Sequence, residues 1–169
     1  MARKTSKVGC KTNKTGFSII EALIAVVLVG IAVTALVASN GYLSQANGAG
    51  ADLSTAEFLI EQIRELTTML PVVDPQTETA TFGAEETNLS GYDDVDDFNN
   101  ITFSPPITAS RTTLNDLSAF TQTITVQNVS ASNFNQAATP HSTNFVRITV
   151  TISMNSKTIS SASWLRARY

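Results

Sequence analysis

Four carboxylates fall within five residues at Asp93, Asp94, Asp96 and Asp97, framed by Tyr92 and Phe98, with Glu85 and Glu86 a short way upstream. Oxygen ligands at this density suit a hard cation, and calcium takes roughly 6–8 of them in flexible geometry. The spacing departs from an EF-hand loop. Phe98 stands at a ligand position, Asn99 stands where the turn needs glycine, and no glutamate closes the loop. Two readings stay open: calcium held by Asp93, Asp94, Asp96 and Asp97, or an exposed acidic loop pinned by its two aromatics. The missing EF-hand features favour the exposed loop.

A different carboxylate, Glu21, is the one ionisable residue between Phe17 and Ser39, inside the run GFSIIEALIAVVLVGIAVTALVAS that begins at Gly16. At ~1.5 Å of helical rise per residue that run reaches the ~30 Å hydrocarbon thickness of a bilayer. A carboxylate at the bilayer centre costs about 2.5–3.5 kcal/mol on insertion scales. Glu21 therefore either lies shallow, near the positive end of the helix dipole, or meets a cation inside an assembly.

Catalytic chemistry lacks parts. His141 is the single histidine and follows Pro140 in a polar stretch, where it reads as a solvated loop residue. It has no Gly-x-Ser-x-Gly partner and no second zinc ligand, and no glycine-rich phosphate loop occurs. An enzyme is not expected. Trp164 reads as a core or edge aromatic of the last strand.

The junction Gly16-Phe17-Ser18-Ile19-Ile20-Glu21, with a basic stretch before it and the apolar run through Gly30 after it, resembles the N-terminus of type IV prepilins and type II secretion pseudopilins. The resemblance implies that prepilin peptidase cuts between Gly16 and Phe17, that the new amine of Phe17 is methylated, and that Glu21 pairs with the N-terminal amine of a neighbouring subunit. Partners implied are that peptidase, other pilin or pseudopilin subunits, an inner-membrane assembly platform and membrane lipid. Ala38 stands where many of these helices carry a proline. The Asp-Val-Asp-Asp-aromatic-Asn segment at Asp94 to Asn99 also resembles minor prepilins of the mannose-sensitive haemagglutinin pilus type.

Charge supports the same topology. Arg3, Lys4, Lys7, Lys11 and Lys14 supply five of eleven basic residues, and without them six basic face fourteen acidic side chains, a net of −8. Basic residues before an apolar helix orient the N-terminus toward the cytoplasm. The acidic remainder is a poor nucleic-acid binder. Cys10, the single cysteine, would leave with the leader, so the head folds without a disulfide. A secretory signal peptide cut after Ser39 fits less well, because the apolar run exceeds the ~7–15 residues of such a region.

These features define segments: a basic leader 1–16, a transmembrane and assembly helix 17–39, its amphipathic continuation 40–70, and a head 71–169. Within the second helical segment Leu53, Ala56, Ile60, Ile63 and Leu70, widened by Leu59 and Leu66, form a helical stripe opposite Glu57, Glu61, Arg64 and Glu65. Ser54 to Glu57 reads as a capping box and the glycines from Gly41 to Gly50 predict a bend, so the pattern leaves open whether the helix restarts there; the resemblance implies one long helix, and near-continuity is expected. The head divides into a polar connection 71–100 and a sheet 101–169. Phe120, Ile124 and Val126 alternate with polar residues, as do Val146, Ile148, Val150, Ile152 and Met154, which predicts half-buried strands. Asn155-Ser156 predicts a two-residue hairpin turn to a last strand from Lys157, and Asn128 to Asn144 predicts a long loop. The expected fold is α+β and pilin-like: a long N-terminal hydrophobic helix packed at its C-terminal half on an antiparallel sheet.

The resemblance thus implies a bacterial inner-membrane subunit, single-pass with a periplasmic head, later moved into a pilus or pseudopilus. Minor type IV pilin is the first reading and type II secretion pseudopilin the second. A membrane-anchored or secreted ligand-binding head is the alternative from another class.

Overall fold

A computed structural model describes residues 16–76 and 81–168. The basic leader through residue 15, with Cys10, lies outside the described residues. The chain divides into two compact units, one ending at Ala46 and one beginning at Asn47.

A single helix, α1, runs Ile19–Thr68 and contributes to both units. Its start is set by Ser18, whose Oγ accepts the Glu21 N–H at 3.3 Å while its carbonyl accepts the Ala22 N–H at 3.1 Å. Ser18 is thus the N-cap and Glu21 the third helical residue, the spacing of a capping box. The similar spacing at Ser54 to Glu57 sits in the helix interior instead, so no restart occurs there. Glycine lowers helix propensity without forbidding the helix, and α1 continues through Gly41, Gly48 and Gly50.

In the second unit, five strands form one antiparallel sheet: β1 Ile101–Phe103, β2 Phe120–Ser130, β3 Asn133–Ala137, β4 Phe145–Met154 and β5 Lys157–Ala167. The order is β1-β2-β4-β5, with β3 paired to the end of β2. The expected α+β architecture is therefore found. The stretch from Asn128 to Asn144, expected as one loop, instead extends β2 and adds β3, which folds back so that Val129 faces Ala137. Its Ser, Asn and Ala content hid the strand, because β3 is exposed along its whole length and needs no apolar alternation. The β4–β5 hairpin turns at Asn155 and Ser156, both left-handed with φ of 51° and 64°, the geometry of a type I′ turn.

One face of the sheet carries Ile124, Val126, Val146, Ile148, Val150 and Ile152 into a core with Ala56, Leu59, Ile60 and Ile63 of α1. Burying each of these Leu, Ile and Val side chains contributes about 1.5–3 kcal/mol over leaving it exposed. Leu53, part of the expected stripe, is exposed. The opposite face is hydroxyl-rich: Thr102, Thr123, Thr151 and Ser161 stand in register across four strands, with Thr102 and Thr123 sharing a hydrogen bond at 3.2 Å and Thr151 and Ser161 another at 2.9 Å.

Two polar side chains tie the layers together. Gln122 of β2 is fully buried, donates to the Leu59 carbonyl at 2.9 Å and accepts the Ile107 N–H at 3.0 Å. Its parity with Phe120 and Ile124 puts it on the inner face, a signal the apolar alternation alone passes over. Arg166 of β5 donates to the carbonyl of Thr67 in the last turn of α1 and to that of Leu70 just past the helix end. No basic residue lies in the last turn of α1, so Arg166 supplies both the donors and the charge that the C-terminal dipole favours. Arg166→Met should lower the head's unfolding free energy by about 1.5–3 kcal/mol, the range for a hydrogen bond to a charged group. Urea unfolding followed by Trp164 fluorescence reads this out, and a loss below experimental error would refute the capping role.

Candidate functional site

The N-terminal site is built by the start of α1. Gly16 and Phe17 precede the helix and are exposed, Phe17 by 82%, and a Cβ on Gly16 would meet none of the described residues beyond its chain neighbours. Glu21 is exposed one turn further on, held at its place by the Ser18 cap. From Ile19 onward the apolar side chains Ile20, Leu23, Ile24, Val27, Leu28 and Ile31 are all exposed, and no residue of the apolar window is buried by the rest of the chain. Helices expose such a surface in water at great cost, whereas lipid or neighbouring helices cover it. The arrangement leaves one carboxylate, Glu21, four residues past Phe17 on the otherwise apolar start of α1.

Residues 11–37 match the family model described as the prokaryotic N-terminal methylation motif. No curated protein and no solved structure matches the chain significantly. The motif and the apolar helix support the prepilin and pseudopilin class: a structural subunit, processed by prepilin peptidase, that assembles with other pilin subunits. They also fit a single-pass inner-membrane anchor.

The second candidate site lies in the polar connection. Contrary to the exposed loop expected from sequence, Asp94, Asp96 and Asp97 are at most 1% exposed, as are Val95 and Phe98. The cause is the pair of apolar residues interleaved with the acids. Phe98 enters the core, meets Tyr92 edge-on with ring centroids 5.2 Å apart, and draws the short 3-10 turn Asp96–Phe98 against the sheet. The backbone follows, with the Val95 N–H donating to the Pro71 carbonyl at 3.0 Å.

Several acids close the turn on itself. Asp97 accepts the N–H groups of Asp93 and Asp94 at 2.8 and 3.2 Å, and Asp94 accepts the Asp97 N–H at 3.0 Å. Asp93 accepts from the Gln76 amide at 3.1 Å. Arg111 donates to the carbonyls of Leu89, Ser90 and Tyr92, bracing the backbone around the turn. Burial pushes the Asp94 carboxyl up to about 8, helped by its hydrogen bond with Asp96, and lifts Asp96 and Asp97 to about 6. The same charges, after burial, raise the Tyr92 phenol through Asp97 and Glu86.

His141 is not the solvated residue expected. Its Nε2 lies 2.6 Å from the Thr81 carbonyl, which can only accept, so Nε2 carries the hydrogen; Asp96 Oδ2 is 3.5 Å away. Phe82 packs edge-on at 5.2 Å, and Asn128 Oδ1 accepts the His141 backbone N–H at 2.8 Å, holding it at a left-handed φ of 57°. These partners come from segments far apart in the chain, which a spacing argument cannot see.

Of the four aspartates read as calcium ligands, the fold brings Asp97 beside Glu85 and Glu86, with one oxygen from each lying within 4.8 Å of the others. Trp164 is half-buried at the sheet edge, where the Arg64 guanidinium lies 4.9 Å over its ring.

Proposed function

We propose that the chain is a minor subunit of a type IV pilus-like filament, cut between Gly16 and Phe17, methylated on the Phe17 amine and stored in the inner membrane through α1 until assembly. The head then faces the periplasm. The single observation that carries this reading is the exposed apolar start of α1, bearing one carboxylate at its first turn within a methylation-motif match. Before assembly, lipid covers that surface. On extraction, the helices of neighbouring subunits replace lipid around the same side chains, so the apolar burial is retained. Glu21, costly in hydrocarbon, gains the N-terminal amine of a neighbour as its cation. The work is associative and mechanical, and the head supplies the surface the filament presents.

Mass spectrometry of the N-terminal peptide from protein purified out of its native membranes tests the processing. The expected N-terminus is methylated Phe17. An N-terminus at Asn40 would mean a secreted head, and an intact leader would mean a plain anchor; either overturns the proposal. Co-purification with a secretion system's pseudopilins, with methylated Phe17 retained, would instead assign the chain to a pseudopilus.

A further inference from the structure

The acidic turn of the head leaves several buried carboxylate oxygens without a hydrogen-bond partner among the described residues. One carboxylate oxygen each from Glu85, Glu86 and Asp97 lies within 4.8 Å of the other two. Two oxygens bound to one calcium at ~2.3–2.6 Å can be no more than about 4.6–5.2 Å apart, so each pair is close enough to share an ion. Independently of that spacing, Asp97 is 1% exposed, and its Oδ1 is buried with no hydrogen-bond partner. Glu86 Oε2 is likewise buried without a partner, and so are Asp93 Oδ1 and Asp94 Oδ2. Buried carboxylate oxygens left unsatisfied are costly and rare in native proteins.

Arg111 spends its guanidinium on three backbone carbonyls of this loop, and His141 contacts Asp96 at the other side of the turn. The backbone is already fixed around the acids by the hydrogen bonds from Asp93 and Asp94 to Asp97 Oδ2, which leave Oδ1 to point elsewhere.

We propose that Glu85, Glu86 and Asp97 bind a calcium ion in the head, closing the polar connection onto the sheet. All three ligands are hard oxygens on an irregular loop, which suits calcium's variable coordination better than the strict octahedron that magnesium demands. The site is separate from the assembly segment and independent of the filament to which the chain is assigned.

The test uses the full chain in detergent micelles, stripped of divalent cations. Its single tryptophan, Trp164, reports unfolding of the head. Calcium at ~5 mM, above the ~10⁻³ M dissociation constants of weak extracellular sites, should raise the melting temperature by ~5–10 °C, while magnesium or sodium chloride of equal ionic strength should raise it far less. Equilibrium dialysis should find one calcium per chain. Asp97→Asn keeps the oxygen that accepts the two backbone N–H groups but removes the charge, and Glu86→Gln changes a side chain outside those hydrogen bonds; both should lose the bound calcium and the shift. Glu61→Gln, on the exposed face of α1, should keep both. Failure of the wild-type chain to bind calcium overturns the proposal. So does calcium binding that survives in both Glu86→Gln and Asp97→Asn, and an equal response to magnesium overturns the choice of ion.

Discussion

Replacing Phe98 with alanine lowers the unfolding free energy of the head by about 3–5 kcal/mol, the range for removing a fully buried phenylalanine. That is a large fraction of the ~5–15 kcal/mol that holds a typical domain together. The physical reason is specific to this loop. Phe98 is fully buried in the cluster shared by α1 and the sheet, and it is the anchor that carries Asp96 and Asp97 inward with it. Without its ring the acids lose the packing that offsets their desolvation, so the cavity cost and the charge cost fall together. Phe58, on the exposed side of α1, is the control, and Phe58→Ala should change stability by no more than about 0.5 kcal/mol. Urea unfolding of the full chain in micelles compares the two. Equal losses would mean that the acidic segment is a solvated loop after all.

Replacing Glu21 with alanine is expected to leave membrane insertion intact and to remove the subunit from the filament. Insertion should not suffer, because the substitution takes a charge out of an apolar helix and so favours the bilayer by up to about 2.5–3.5 kcal/mol. Assembly should suffer, because a desolvated amine at Phe17 of one subunit would lose its carboxylate on the next, and an uncompensated buried charge costs about 3–5 kcal/mol. Each ~1.4 kcal/mol is tenfold in an equilibrium, so incorporation should fall by a factor of a hundred or more. Glu21→Gln separates charge from shape: it keeps the Ser18 cap geometry and side-chain length and should fail nearly as badly. Membrane fractionation and immunoblotting of sheared filaments measure the two steps. Normal incorporation of either variant would refute the ion pair.

The apolar start of α1 was legible because its signals are local. Length, apolarity, the lone Glu21 and the Gly16-Phe17 junction are properties of consecutive residues, and a helix exposed along its start needs no distant partner to be recognised. The strands β2 and β4 were legible for a similar reason, since alternation at a period of two follows directly from the pleat, and β5 followed from the turn that precedes it. Even the hairpin turn at Asn155-Ser156 could be placed between two such patterns. Where a strand is exposed on both faces, as β3 is, the alternation vanishes, and the sequence shows only a polar stretch.

The acidic site divides the two kinds of information most sharply. The sequence by itself determined that four aspartates and two aromatics lie together, with two glutamates upstream. It could not determine that Phe98 would pull the acids under the surface, since that depends on a core assembled from α1 and the sheet. Nor could it pair Asp96 with His141 or gather Glu85 and Glu86 around Asp97, because those partners meet only when separate loops close over the same edge of the fold. Periodicity is written in neighbouring residues, whereas burial and charge pairing are set by what tertiary packing places across from them.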